Sequence, residues 1–257
     1  MTTRERRVVF GEVADDYDRI RPGYPAQLVE DVLAAAGPGP VLEVGAGTGK
    51  ATAAFAPRVG DLTCVEPDAR MAGVLRRKLP GVRLITSSFE DWTPDRGYGL
   101  LYSGQAWHWV DNERRSALAL AALAPGGLLA PFWNASTVAD PRLHAALREV
   151  DERHGLTEET PHRLLASDLP QPDVAEDRTV LRLDEEHFPE VTIRRYHSTR
   201  TISAADYPTF LRSFSIYRML APAAADATIA ETVETIEAHG GVVELAMVTD
   251  LVLARRR

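Results

Sequence analysis

Through the first half of the chain, short apolar runs alternate with helical patterns. Val41-Leu42-Glu43-Val44 is an apolar run closed by glycines and predicts a strand. Residues 51–58 then predict a helix that stops near Gly60, and 62–65 a second strand. A helix over 67–79 ends at Pro80-Gly81, before a third strand at 82–85. A fourth strand is predicted at 98–102, a helix over 113–123 stopped by Pro125-Gly126-Gly127, and a fifth strand at 128–133. This rhythm predicts a parallel sheet with right-handed crossovers. Ligands of such sheets sit outside the carboxyl ends of the strands, near the point where strand order reverses. The loops after Val44, Val65, Ile85 and Tyr102 are therefore expected to line a site.

The second half reads differently. Leu143, Ala146, Leu147 and Val150 give residues 140–155 helical spacing, and the Pro- and Asp-rich stretch 161–177 reads as loop. Val191, Ile193 and Tyr196 among polar residues suit a strand over 191–201. An aromatic-rich helix is predicted over 207–220, another over 231–239 closed by Gly240-Gly241, and a last strand over 247–253. The expected layout is a single domain over 1–257. Its core is 1–134, segments 135–188 and 203–245 cover the carboxyl edge of the sheet, and strands within 189–202 and 246–257 extend it.

The sharpest local feature is Glu43-Val44-Gly45-Ala46-Gly47-Thr48-Gly49-Lys50, a strand running through three alternating glycines into a helix. Glycine admits positive φ and lets a ligand approach the backbone where a Cβ would clash. The dinucleotide fingerprint G-x-G-x-x-G fails, because Lys50 stands where its last glycine belongs. The phosphate loop G-x-x-x-x-G-K-[ST] fails as well: Val44 replaces its first glycine and Ala51 its hydroxyl residue. Glu66 closes the second strand about 20 residues after the loop begins, the spacing that sets a carboxylate on ribose hydroxyls in Rossmann-like folds. Its other reading is an acidic residue favoured by a helix N-terminus.

Glu43-x-Gly45-x-Gly47-x-Gly49 resembles the motif of class I S-adenosylmethionine-dependent methyltransferases. The resemblance implies a Rossmann-like α/β fold, a seven-strand sheet with helices on both faces and a C-terminal cover segment. S-adenosylmethionine is the implied cofactor. Gly45, Gly47 and Gly49 would wrap its amino-acid and ribose part, Glu43 would help hold its ammonium end, and Glu66 and Pro67 would meet the ribose. The loop Thr86-Ser87-Ser88-Phe89-Glu90-Asp91-Trp92 would border adenine through Ser88, Phe89 and Glu90. Many relatives have a carboxylate at the position of Ser88, and Glu90 is the substitute this chain offers. Glu43 could instead be a strand-end carboxylate satisfied by the backbone, and Phe89 could be core.

Two further stretches narrow the resemblance. Phe10-Gly11-Glu12-Val13-Ala14-Asp15-Asp16-Tyr17-Asp18, followed by Arg21-Pro22-Gly23-Tyr24-Pro25, is one; Ser103-Gly104-Gln105-Ala106-Trp107-His108-Trp109-Val110-Asp111 is the other. Both are similar to small-molecule methyltransferases of the type 11-like branch related to trans-aconitate methyltransferase. The resemblance covers residues 8–134 and departs at Gly99, where relatives carry an aspartate. Gln105 is the expected contact to the methionine end. A sulfonium attracts aromatic faces, so Tyr17, Trp107 and Trp109 are candidates to wall the methyl group, with core packing as the alternative. His108 is the candidate general base or, instead, a structural histidine. Tyr24, Phe214 and Tyr217 are candidates for the acceptor pocket, and Arg21 and Arg212 for gripping an acidic acceptor.

Charge and composition trim the alternatives. The net charge of −8 argues against nucleic acid as the main partner, and the clusters Arg4–Arg7 and Arg255–Arg257 read as solvated ends. The single cysteine, Cys64, forbids an intrachain disulfide and sits in a predicted buried strand. Residues 1–6 lack the apolar stretch of a signal peptide, and no apolar run reaches the roughly 20 residues that span a bilayer. A cytoplasmic protein with no membrane partner is expected. The seven histidines show no metal-ligand clustering, so no metal is expected. The expected function is in-line methyl transfer to a small molecule, with a carboxylic acid as the leading acceptor class. A non-catalytic S-adenosylmethionine-binding scaffold or sensor and a NAD-dependent oxidoreductase are the alternatives, and oligomeric state stays open.

Overall fold

The computed structural model describes residues 14–156, 160–165, 181 and 183–257. Helices α1 (Ala14–Ile20) and α2 (Ala26–Ala36) precede β1 (Val41–Val44), α3 (Lys50–Phe55), β2 (Leu62–Val65), α4 (Ala69–Lys78) and β3 (Arg83–Ile85). There follow β4 (Tyr98–Gly104), α5 (Arg115–Ala122), β5 (Leu123–Val138) and α6 (Pro141–Arg153). The chain closes with β6 (Glu190–Ser203), α7 (Tyr207–Arg212), α8 (Ser215–Met219), α9 (Pro222–Ala238) and β7 (Val242–Arg255).

The strands form a seven-stranded sheet in the order β3-β2-β1-β4-β5-β7-β6. β1 to β5 run parallel, and β7 is antiparallel to both β5 and β6. Strand order reverses between β1 and β4, so their carboxyl ends, Val44 and Gly104, flank the crevice where such folds bind ligands.

Both faces of the central strands are buried, as continuous apolar runs require in a parallel sheet. On one face, Val41, Cys64, Tyr102 and Phe132 pack with Leu28, Val29 and Val32 of α2 and Phe55 of α3. On the other, Leu42, Val65, Leu101 and Leu129 pack with Ala119 and Ala122 of α5 and with Phe188. A third cluster builds the cover: Leu143 and Leu147 of α6, Tyr207 and Phe210 of α7, Tyr217 of α8 and Ile229 of α9 lie against Leu245 and Met247 of β7.

Several expected boundaries shift for identifiable reasons. The helix expected from residue 67 begins at Ala69, because Asp68 caps it by accepting from the Arg70 and Met71 amides. Asp140 caps α6 in the same way, with Pro141 in its first turn. The helix expected over 231–239 begins at Pro222, a helix-starting residue whose signal the long alanine run hid. β5 is far longer than residues 128–133, because its far half pairs with β7 from Asn134↔Thr249 to Val138↔Leu245. The helix expected over 207–220 is broken: Phe214 is extended (φ −94, ψ 140) between α7 and α8. The expected loop over 161–177 and the segment 10–13 lie largely outside the described residues. Among those described, no helix is long and apolar enough to cross a membrane.

Candidate functional site

A cavity of about 510 Å³ opens at the carboxyl ends of β1, β2 and β4. That volume is within the range of roughly 300–1,000 Å³ typical of small-molecule sites. One half is walled by Glu43, residues 45–48 and 65–68, Phe89 and Glu90; the other by α1 and the turn after it, by residues 134–137 of β5 and by the cover.

The three loop glycines have distinct jobs. All have positive φ, at 71° for Gly45, 57° for Gly47 and 82° for Gly49. A Cβ on Gly45 would sit 2.3 Å from the Ala106 Cβ, so this glycine lets the loop cross the strand end beside β4. A Cβ on Gly47 would meet only the Met71 methyl at 3.6 Å, leaving a side chain there to fill the cavity. Gly49 caps α3, lies against Leu75 and does not line the cavity.

Glu66 is 6 % exposed. Its Oε2 accepts from the Gly47 amide and its Oε1 from the Asp68 amide, both at 2.8 Å. Each oxygen keeps lone-pair capacity for a ligand hydroxyl. The same carboxylate therefore shapes the loop and faces the cavity beside Pro67. Removing it in Glu66→Ala is expected to weaken binding of S-adenosylhomocysteine by about 1.5–3 kcal/mol, the worth of hydrogen bonds to a charged group. Calorimetry giving unchanged affinity would take Glu66 off the ribose.

Glu43 is buried at the end of β1. Its Oε2 accepts from the Thr52 hydroxyl at 2.6 Å, the Tyr102 hydroxyl at 2.8 Å and the Cys64 thiol at 3.5 Å. Burial pushes its carboxyl up to about 7 against the pull of these bonds, with neighbouring Glu66 adding to the rise. Cys64 is thus a buried hydrogen-bond donor whose thiol burial holds protonated.

Past β4 the chain turns sharply. Gln105 has φ 59°, an uncommon conformation for a non-glycine residue. Its amide donates to the Phe132 carbonyl at 2.9 Å and its side chain to the Asn134 carbonyl at 2.7 Å. Both bonds fix the turn on β5 while Gln105 lines the cavity. In the single turn that follows, His108 and Trp109 line the cavity, whereas Trp107 is fully buried against Phe89 and does not. A wall role for Trp107 is therefore corrected to core packing: one turn cannot direct three successive side chains the same way, and the large apolar ring goes inward. The Trp133 indole donates to His108 Nδ1 at 3.1 Å. An indole N–H only donates, so the neutral imidazole carries its proton on Nε2. Burial, with the Arg115 charge nearby, lowers His108 to about 4. At neutral pH it is uncharged, but its one lone pair is taken by the Trp133 indole, which leaves no ring nitrogen to accept a proton from an acceptor.

Of the adenine-loop residues, Phe89 and Glu90 line the cavity. Glu90 Oε1 also accepts from the Asp111 amide at 2.8 Å. Ser88 does not reach the cavity: its hydroxyl lies 2.7 Å from Asp91 Oδ2 and accepts from the Asp91 amide, a local turn that turns it away.

On the cover side, Tyr17, Arg21, Tyr24 and Phe214 line the cavity. The Arg21 guanidinium lies 3.9 Å from the Phe214 ring centroid and donates from Nη2 to the Ser213 carbonyl at 2.8 Å, while its buried Nε has no partner. Arg212 and Tyr217 are corrections. Arg212 pairs on the surface with Asp226 at 2.7 Å, and Tyr217 is buried with its hydroxyl on Asp151 at 3.1 Å. Arg212 falls on the exposed side of α7, and the break at Phe214 resets the phase of α8, which turns Tyr217 into the core. Sequence reasoning missed Asn134, Thr137, Arg163 and Met247, which also line the cavity. The polar residues within the apolar run of β5 were the available signal for the first two; Arg163 and Met247 carried none.

The carboxylates of the lining, Glu43, Glu66, Asp68 and Glu90, all lie in the glycine-loop half, together with Lys50, while the cover half holds Arg21 and Arg163 and no carboxylate. The first half suits a ligand with hydroxyls and a cationic end; the open space over Gly47 admits it, and Phe89 offers an apolar surface for a flat ring. These residues fit S-adenosylmethionine.

Known proteins agree. Residues 41–127 match the family model described as methyltransferase domain. An uncharacterised methyltransferase of Mycobacterium tuberculosis is 38 % identical over 132 residues, 51 % of this chain and 54 % of that protein. A trans-aconitate 2-methyltransferase of Methylobacterium radiotolerans is 31 % identical over 116 residues, 44 % of each chain. The chain thus spans about half the length of the curated relatives it matches. Over nearly the whole chain, the fold matches a solved protein of Anaeromyxobacter dehalogenans, provisionally assigned as a type II methyltransferase. The TM-score is 0.64 at 20 % identity, covering 92 % of this chain and 98 % of that one. With its glycine loop and acidic strand ends inside the matched fold, the chain is similar to S-adenosylmethionine-dependent methyltransferases, and the match to the methyltransferase domain spans residues 41–127.

Proposed function

We propose that this protein methylates a small carboxylic acid with S-adenosylmethionine. The observation that carries the acceptor class is the division of the cavity, with carboxylates confined to the cofactor half and an unopposed, partly unsatisfied Arg21 on the other. When bound, S-adenosylmethionine supplies a methyl group on a sulfonium, open to direct in-line displacement by an acceptor oxygen. Glu66, Glu43 and the backbone around Gly47 hold and orient the cofactor. Tyr17 and Trp109 wall the region between the halves, where aromatic faces favour positive charge. Arg21 anchors an acid group of the acceptor, stiffened by its stack on Phe214 and its bond to Ser213. The protein's contribution is orientation and exclusion of water. The trans-aconitate methyltransferases among the relatives support the same acceptor class.

A carboxylate is already ionised at neutral pH and needs no base. With saturating cofactor, kcat is expected to be flat from about pH 6 to 9. His108→Ala should keep the same profile, since this imidazole stays neutral down to about 4. A rate that falls steeply below pH 7, with a dead His108→Ala that still binds cofactor, would put a hydroxyl or amine in the acceptor's place. Normal cofactor binding with no methyl transfer to any acceptor would return the scaffold reading.

A further inference from the structure

The segment 160–165 has no regular secondary structure, yet it forms part of the cavity wall. Thr160, Pro161, Arg163 and Leu164 line the cavity, and His162 between them faces away and is fully buried. Its Nδ1 lies 2.9 Å from Asp151 Oδ2 on α6, and its Nε2 2.9 Å from the Tyr207 hydroxyl on α7. The Tyr217 hydroxyl of α8 donates to the other Asp151 oxygen at 3.1 Å. With the imidazole proton on Nδ1, every donor in the chain Tyr207–His162–Asp151–Tyr217 meets an acceptor.

Burying a carboxylate and an imidazole is costly unless each is satisfied, and an apolar core would join α6, α7 and α8 at least as well. What this network does that an apolar core would not is fix one irregular segment by a single side chain. The residue beside it is Arg163, whose guanidinium has no ion-pair partner among the described residues, in contrast to Arg212 on Asp226.

We propose that His162 is a positioning residue: its buried bonds to Asp151 and Tyr207 hold segment 160–165 as the acceptor-side wall and set Arg163 as a second cation for the acceptor. This rests on the acceptor reading above. It adds a specificity-determining residue on the cover to the anchor at Arg21, and it fits an acceptor with more than one acid group.

The test uses the full chain, with trans-aconitate as the probe acceptor. Arg163→Gln and His162→Leu are expected to raise its KM about tenfold, with S-adenosylhomocysteine affinity kept within about twofold. Tyr207→Phe, which deletes one hydroxyl and keeps the ring, should raise KM by roughly threefold. Hydrogen exchange across 160–165 should quicken about tenfold in His162→Leu and stay unchanged in Arg163→Gln. Arg212→Gln should behave as wild type. Unchanged KM in both Arg163→Gln and His162→Leu overturns the proposal, as does equal loss of cofactor and acceptor binding in Tyr207→Phe, which would mark the network as plain structural support. Wild-type protein that binds S-adenosylhomocysteine yet methylates no carboxylic acid removes the acceptor reading and this proposal together. Methylation of trans-aconitate with KM unmoved by the variants removes this proposal alone.

Discussion

Gly47→Val is expected to weaken S-adenosylhomocysteine binding by at least about 100-fold, equal to about 2.7 kcal/mol, with only a modest drop in melting temperature. The Gly47 Cβ position has room, its nearest neighbour being the Met71 methyl at 3.6 Å, so the new side chain harms the ligand more than the fold. The strain of holding a β-branched residue at φ 57° costs about 1–2 kcal/mol of stability. Gly45→Ala should behave in the opposite sense. Its methyl would sit 2.3 Å from the Ala106 Cβ, a group on the backbone with no rotamer to escape into. Overpacking and positive φ together should remove about 2–5 kcal/mol of stability. Calorimetry and thermal melts on the pair separate a ligand-facing glycine from a chain-crossing one. Equal melting temperatures for the two variants would contradict the geometry.

The second large effect is on pH dependence. Burial raises Glu43 from an ordinary 4.5 to about 7 in the ligand-free protein. Between those values the folded state holds a proton that the unfolded chain has released, so stability falls as pH rises through this window, by about 3 kcal/mol in all. A cationic ligand end near Glu43 favours the carboxylate, so binding should expel the proton. Cofactor affinity should then rise about tenfold per pH unit up to about 7 and level off above it, roughly 30-fold between pH 5.5 and 8. Glu43→Gln should flatten that slope and make the ligand-free protein less sensitive to alkaline pH. Calorimetry in two buffers of different ionisation enthalpy at pH 6 would count the released proton. A flat affinity profile would place Glu43 out of reach of the cofactor's charge.

The glycine-loop half of the cavity was legible because its geometry is written in contiguous residues. A loop that needs three glycines at alternate positions, and a carboxylate closing the next strand, leave a local trace from Glu43 to Glu66. The cover was less legible. Periodicity across 207–220 holds only while the helix is unbroken: Arg212 lies on the exposed side of α7, and one extended residue at Phe214 turned Tyr217 into the core. Trp107 and Trp109 are indistinguishable by type and differ only in which way a single turn aims them. Ser88 satisfied its hydroxyl within its own turn, a competition between local and ligand bonds that spacing does not reveal. Arg163 lies in an irregular segment whose placement depends on a histidine bonded to two distant helices.

The position of β7 between β5 and β6 has a consequence during synthesis. Leu128 of β5 pairs with Arg255, and Glu190 of β6 pairs with that same Arg255. As the nascent chain emerges, the parallel strands can assemble early, but the outer side of β5 stays bare until β7 arrives, roughly ten seconds later at ordinary translation rates. β6 emerges sooner and must wait unpaired, since it touches the sheet only through β7. An uncovered apolar strand edge is a template for pairing with another chain. This interval exposes newly made chains to pairing with one another, so a lower ribosome density or a supply of chaperones is expected to raise soluble yield.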